Sequence, residues 1–318
     1  MNPRRHSLAR SSLSPSHFFQ SWGARLLVLG LLLFCLPRAE AYEIKYANTG
    51  FQVTSGMDYA INYELKKLIA RHEAAFKRQA PTDFKITYYV FATYEQYRDF
   101  AAKNERKVTP KLLGYTTSKS AYDPQSGKII SAEMQVVTWK QAQPAIQLST
   151  ILHESAHAVT HAFLLQVPLW MNEGSADWFG QPAWAANGNA QKLDRFRRWQ
   201  TLQILLEDKS LPPLRPYLES EEYDEWAQMF QGNVGMGYVV GYSLFDFFMS
   251  HANAQAFLNQ LLKSDAVEKG SEPGKAFTTA IDKQWPGGLA AFEKSWHQWI
   301  RRKADQERQA AAKEIKAK

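Results

Sequence analysis

The sequence predicts an α+β fold: a mixed α/β subdomain over residues 42 to 143, a mostly helical subdomain over 144 to 300, and a charged helix or tail over 301 to 318. Three observations carry that expectation. Before residue 143, short stretches with strand alternation take turns with amphipathic stretches of helical period. After it the strand patterns stop and helical periodicity continues to the end. The 277 residues from Tyr42 onward are numerous enough to bury about three quarters of their unfolded surface, and 18 Phe, 14 Tyr and 10 Trp in the chain supply the core.

Taken in order, "FQVTSG" reads as a strand, "MDYAINYELKKLIARHEAAFKRQ" as an amphipathic helix, "FKITYYVFAT" as a buried strand and "YEQYRDFAAKN" as a helix. The stretch "LGYTTSKSAYDPQSGKIISAEMQVVTW" reads as two or three strands turned at residues 123 to 127, which are rich in residues that set turn dihedrals. "PAIQLSTILHESAHAVTHAFLLQ" opens with Pro144, which suits a first helical turn, and Pro168 ends it. "LWMNEGSADWFG" and "NAQKLDRFRRWQTLQILLED" follow as helices across a joint at 180 to 190, then "LPPLRPYLE" as an irregular bridge. Four more helices are expected at "VGMGYVVGYSLFDFFMSH", "NAQAFLNQLLKS", "PGKAFTTAID" and "GGLAAFEKSWHQWIRRKADQERQ", the last exposed or frayed beyond Arg301.

Residues 1 to 41 read as a signal peptide: four arginines precede an 11-residue apolar run over 26 to 36, and Ala39 and Ala41 supply the small residues of a cleavage site. The run is short of the ~20 residues that span a bilayer, so no stable membrane span is expected after cleavage. An exported chain, periplasmic or extracellular, is expected. The single cysteine, Cys35, lies in the leader, so the mature chain has no disulfide and any metal ligands must be His, Asp or Glu. The mature charge, 33 basic against 30 acidic side chains, is too mild to point to nucleic acid.

The chemistry concentrates in "ILHESAHAVTH". On a helix, His153 and His157 stand one turn apart and can aim both imidazoles at one point, with Glu154 between them in rotation. This is the H-E-x-x-H arrangement, in which zinc acidifies water to a pKa near 7 and the carboxylate acts as general base. About one chain in a hundred of this length carries the pattern by accident, so a third ligand is required. His161 lies ~12 Å along the axis from His153, too far to converge on the same ion, and reads as a packed side chain or one that supports a ligand from behind. Glu173 is the better candidate: Pro168 breaks the helix, and a returning helix can present a carboxylate to the ion. Asp177, one turn on, can accept the free ring N–H of a ligand histidine. Trp170, Met171, Trp178 and Phe179 make that face hard to leave in water, and a buried carboxylate pair calls for a cation.

The run His153-Glu154-x-x-His157 followed by Asn172-Glu173-x-x-x-Asp177 resembles the gluzincin zinc metallopeptidases, the thermolysin-like and peptidase MA-like group, and in particular small secreted bacterial members. The resemblance implies one zinc held by His153, His157 and Glu173, with Glu154 as general base and Asn172 and Asp177 supporting the ligands. It also implies a peptide or protein substrate bound as an added strand on an edge strand over the active helix, expected here at "SAEMQVVTW". Tyr238 in Tyr-Val-Val-Gly looks like the family's oxyanion donor; Tyr242, one turn on, is the alternative, and both also read as core aromatics. The aminopeptidase motif Gly-x-Met-Glu-Asn is absent. The expected activity is therefore that of a zinc endopeptidase. Two other readings stand beside it: a catalytically silent gluzincin-like envelope binding module, and a zinc hydrolase of a non-peptide amide such as a cell-wall fragment.

Overall fold

The computed structural model describes residues 42–123, 129–164, 166–181, 189–261 and 272–316. The predicted signal segment lies outside these residues, as do most of the turn at 123 to 127 and most of the joint at 180 to 190. The described chain is α+β, with a four-stranded mixed sheet followed by a helical C-terminal part. The described residues all belong to one compact unit.

Strand β1 (Tyr42–Tyr46) pairs parallel with β2 (Asp83–Phe91) after a crossover through α1 (Ser55–Phe76). A second helix, α2 (Tyr94–Lys103), leads to β3 (Gly114–Tyr122), which pairs antiparallel with β4 (Ile129–Trp139). Because β4 also pairs parallel with β2, the order is β1-β2-β4-β3. Strict alternation along β2 sends Phe84, Ile86, Tyr88 and Val90 to one face, where Ala132, Met134 and Val136 of β4 join them. That face shares a single core with α1 and the helices that follow. On the opposite face, Phe91 and Val137 pack with Tyr97 and Ala101 of α2.

Two expectations change here. "FQVTSG" is not a strand: Thr54 caps α1 by accepting from Met57 N at 3.2 Å, and Ser55 already belongs to the helix. The first strand lies earlier, at Tyr42–Tyr46. "SAEMQVVTW" is a strand but not an edge, since β4 is hydrogen-bonded on both sides. Burial alternates along its first part, with Ala132, Met134 and Val136 buried and Glu133 exposed. Among the described residues, β3 and β1 are the edges.

The helical part begins with α3 (Pro144–Phe163), which crosses β4 and β3. Small residues on its inner side, Ser155, Ala156 and Ala158, let it lie close to the sheet, and Ser155 Oγ meets the Tyr88 hydroxyl of β2 at 2.9 Å. Leu164 turns extended and Pro168 starts α4 (Leu169–Phe179) on its return. Next come α5 (Asn189–Glu207), the short helices α6 (Leu214–Leu218) and α7 (Tyr223–Met229), α8 (Val234–Ser250), α9 (Ala252–Leu261), α10 (Pro273–Gln284) and α11 (Gly288–Lys316). The stretch read as an irregular bridge thus contains α6, and α7 was not foreseen.

Helices α4 and α8 touch backbone to backbone. A Cβ on Gly174 would sit 2.3 Å from Gly241 O, and one on Gly241 would sit 2.8 Å from Trp170 O, so glycine is required on both sides. The charged stretch beyond Arg301 is mostly exposed, as expected, but not frayed among the described residues: α11 runs unbroken to Lys316 and docks on α5, with Arg308 donating to Gln200 at 2.8 Å and Lys192 paired with Glu314. No helix among the described residues is long and apolar enough to cross a membrane.

Candidate metal centre

Helices α3 and α4 bring His153, His157 and Glu173 to one point. His157 Nε2 lies 3.1 Å from His153 Nε2, and Glu173 Oε2 lies 3.5 Å from His153 Nε2 and 3.4 Å from His157 Nε2. Three ligand atoms at ~2.0–2.1 Å from one tetrahedral ion stand about 3.3–3.4 Å apart. His157 and Glu173 are buried and His153 is half-buried, and the three could hold a metal ion.

The outer nitrogens of both imidazoles are engaged, which fixes where the lone pairs point. His153 Nδ1 is 3.2 Å from Asp177 Oδ1, and His157 Nδ1 donates to Asn172 Oδ1 at 3.1 Å. With Nδ1 as the donor in each ring, both Nε2 atoms face inward, the tautomer a metal requires. Two inward lone pairs 3.1 Å apart repel unless a cation lies between them. Without metal, that cation is the proton. Burial pushes the His153 imidazole down, but its hydrogen bonds to Asp177 and Glu173 outweigh this and hold its pKa well above the ordinary value. His157 is likewise raised, by the charge of Glu173 acting against burial. Glu173 is buried, which pushes it up, yet the two histidines hold it well below the usual carboxylate range. The electrostatics of the site therefore favour positive charge.

The remaining predicted residues take distinct places. Glu154 lies outside the ligand group, with the Thr116 hydroxyl of β3 shared between its Oε2 at 2.9 Å and its carbonyl oxygen at 2.8 Å. The approach of β3 to α3 is close enough that a Cβ on Gly114 would come 3.0 Å from Glu154 Cγ. His161 donates to Asn172 Oδ1 at 3.0 Å, sharing that acceptor with His157, and burial lowers its pKa to about 4. It supports Asn172 and is not in the ligand group. Asp177 also accepts from Arg198 at 2.5 Å, and Arg198 in turn donates to Asp194 at 2.8 Å. Tyr238 lines a cavity of about 500 Å³ together with Gly114, Ile146, His153 and Glu154. Tyr242 does not line it: it is buried, with its ring against Trp199 and under the Arg198 guanidinium.

Three contacts were not foreseen: Thr116 on Glu154, Arg198 on Asp177, and Tyr223. The Tyr223 hydroxyl donates to Glu173 Oε1 at 2.6 Å from fifty residues away. Only Arg198 left any local signal, its i, i+4 spacing from Asp194 on α5. No family model and no curated protein matches the chain.

Proposed function

We propose that the chain is an exported zinc metallopeptidase of the gluzincin type, acting as an endopeptidase. The observation that carries this reading is the convergence of His153 Nε2, His157 Nε2 and Glu173 Oε2 within 3.1–3.5 Å of one another, each ring braced at Nδ1. Zinc fits this donor set of two imidazoles and one carboxylate, and when bound it supplies a Lewis acid that polarises a carbonyl and acidifies water. Export rests on the leader over residues 1 to 41.

The chain's own residues would divide the work. A substrate segment adds to the outer edge of β3, which takes over the role expected of β4, and its carbonyl enters the cavity shared by His153, Glu154 and Tyr238. Glu154 takes a proton from the attacking water as the C–O bond forms, and returns it to the nitrogen as the C–N bond breaks. The Thr116 hydroxyl holds that carboxylate in place. Tyr238 donates to the oxyanion that develops on the carbonyl.

The test is Glu154→Gln on the mature protein. Zinc content is expected to stay at one per chain while cleavage of a peptide library falls by roughly 10²–10⁴. Turnover near the wild-type rate would overturn the mechanism. Stoichiometric zinc with no cleavage by the wild type would favour the binding-module reading, and cleavage confined to cell-wall fragments would favour the amide hydrolase.

A further inference from the structure

We infer that Tyr223 is a positioning residue that ties up one oxygen of Glu173 and so limits this side chain to a single-oxygen ligand; the inference rests on the metal-site reading above. The two oxygens of Glu173 face different surroundings. Oε2 looks at the two imidazoles, at 3.5 and 3.4 Å. Oε1 accepts from the Tyr223 hydroxyl at 2.6 Å and from Asn172 Nδ2 at 3.2 Å. A carboxylate can bind a cation through one oxygen or through both. With two donors on Oε1, the second mode requires breaking hydrogen bonds to a group that is only 3% exposed.

The geometry that delivers Tyr223 is built. It is the first residue of α7, whose N-terminus is closed by a capping box: Glu225 Oε2 accepts from Glu222 N at 3.0 Å. One turn on, Trp226 is fully buried against α8, where it fills the place a side chain on Gly237 would take; a Cβ there would lie 2.1 Å from the indole. The Tyr223 ring is held between Trp226, edge-on at 5.9 Å, and Tyr238, stacked at 6.1 Å and 9°. Tyr223 is nonetheless 41% exposed, so its ring is a minor part of the core and the hydroxyl can be removed with little loss of packing.

The experiment compares wild type, Tyr223→Phe and Tyr238→Phe as mature, full-length proteins. Zinc affinity is measured by competition with a chelator, the visible spectrum is recorded with cobalt(II) in place of zinc, and the metal-free melting temperature serves as the folding control. Tyr223→Phe is expected to bind zinc roughly ten-fold or more weakly and to change the cobalt spectrum, with an unchanged metal-free melt. Tyr238→Phe, which leaves the Tyr223–Glu173 bond in place, is expected to keep wild-type zinc affinity. Wild-type affinity and spectrum in Tyr223→Phe would overturn the inference, as would an equal loss of affinity in Tyr238→Phe. A wild type that holds no stoichiometric zinc, or one whose zinc survives His157→Ala, would instead overturn the metal-site reading itself.

Discussion

Asp177 faces two positive partners at once, the His153 ring at 3.2 Å through Oδ1 and the Arg198 guanidinium at 2.5 Å through Oδ2. Burial pushes its carboxyl up, but the bond to His153 and the charge of Arg198 hold it below the usual carboxylate value. The negative charge is therefore secure, and it keeps His153 Nδ1 protonated with Nε2 turned toward Glu173 and His157. Asp177→Asn removes that charge while keeping the shape. Zinc affinity, read by chelator competition, is expected to fall by roughly 10–100-fold; an unchanged affinity would mean that Asp177 serves Arg198 alone. Asn172 does comparable work for His157, and His161 steadies Asn172. The third histidine of the motif thus stands two contacts away from the inward nitrogen of His157, behind Asn172, as its axial distance along the helix requires.

At the scale of elements, the site depends on how closely α4 and α8 approach. Gly174 follows Glu173 directly, and its contact with Gly241 fixes the height of the ligand helix relative to Tyr238, three residues before Gly241. Gly174→Ala forces the two backbones apart. It is expected to cost about 1–3 kcal/mol, visible as a lower melting temperature, and to weaken zinc binding because Glu173 moves with its helix. A melt and a zinc affinity both equal to wild type would show that the helices can separate without consequence. On the other wall, β3 owes its place at the site to pairing, among the described residues, with β4 alone. Which strand of a hairpin becomes the edge depends on which one the parallel β2 selects, and local alternation carries no information on that choice.

At the scale of the molecule, α1, α3 and α4 meet around a buried histidine, His72, outside the candidate metal centre. His72 is fully buried, bonded to Leu68 O at 2.8 Å and to Thr160 Oγ1 at 3.0 Å, and stacked on Phe179 at 3.7 Å. Burial lowers its pKa from the ordinary 6.5 to about 3. Between those values the unfolded chain binds a proton that the folded chain refuses, so this group's contribution to stability is whole above pH 6.5 and is lost as pH falls toward 3, at up to ~1.4 kcal/mol per pH unit. Urea unfolding of the metal-free protein at a series of pH values is expected to give a flatter acid limb for His72→Gln by about one proton over that window. Identical slopes would show that the site is solvated on the folding timescale.

The sequence by itself determined the parts whose geometry is local. An i, i+4 pair on one helix must share a face, so His153 and His157 were legible together with Glu154 between them, and Pro168 announced the return that carries Glu173 and Asp177. The α+β division was legible for the same reason, because strand and helix periods are written residue by residue. Only the tertiary structure decided what depends on distant segments meeting. It made β3 and not β4 the edge beside the site, started α1 where a strand was expected, and docked the charged tail on α5. It also brought Thr116 to Glu154 across 38 residues and Tyr223 to Glu173 across 50. Contacts of that span leave no period in the chain, since they are fixed by how whole elements pack.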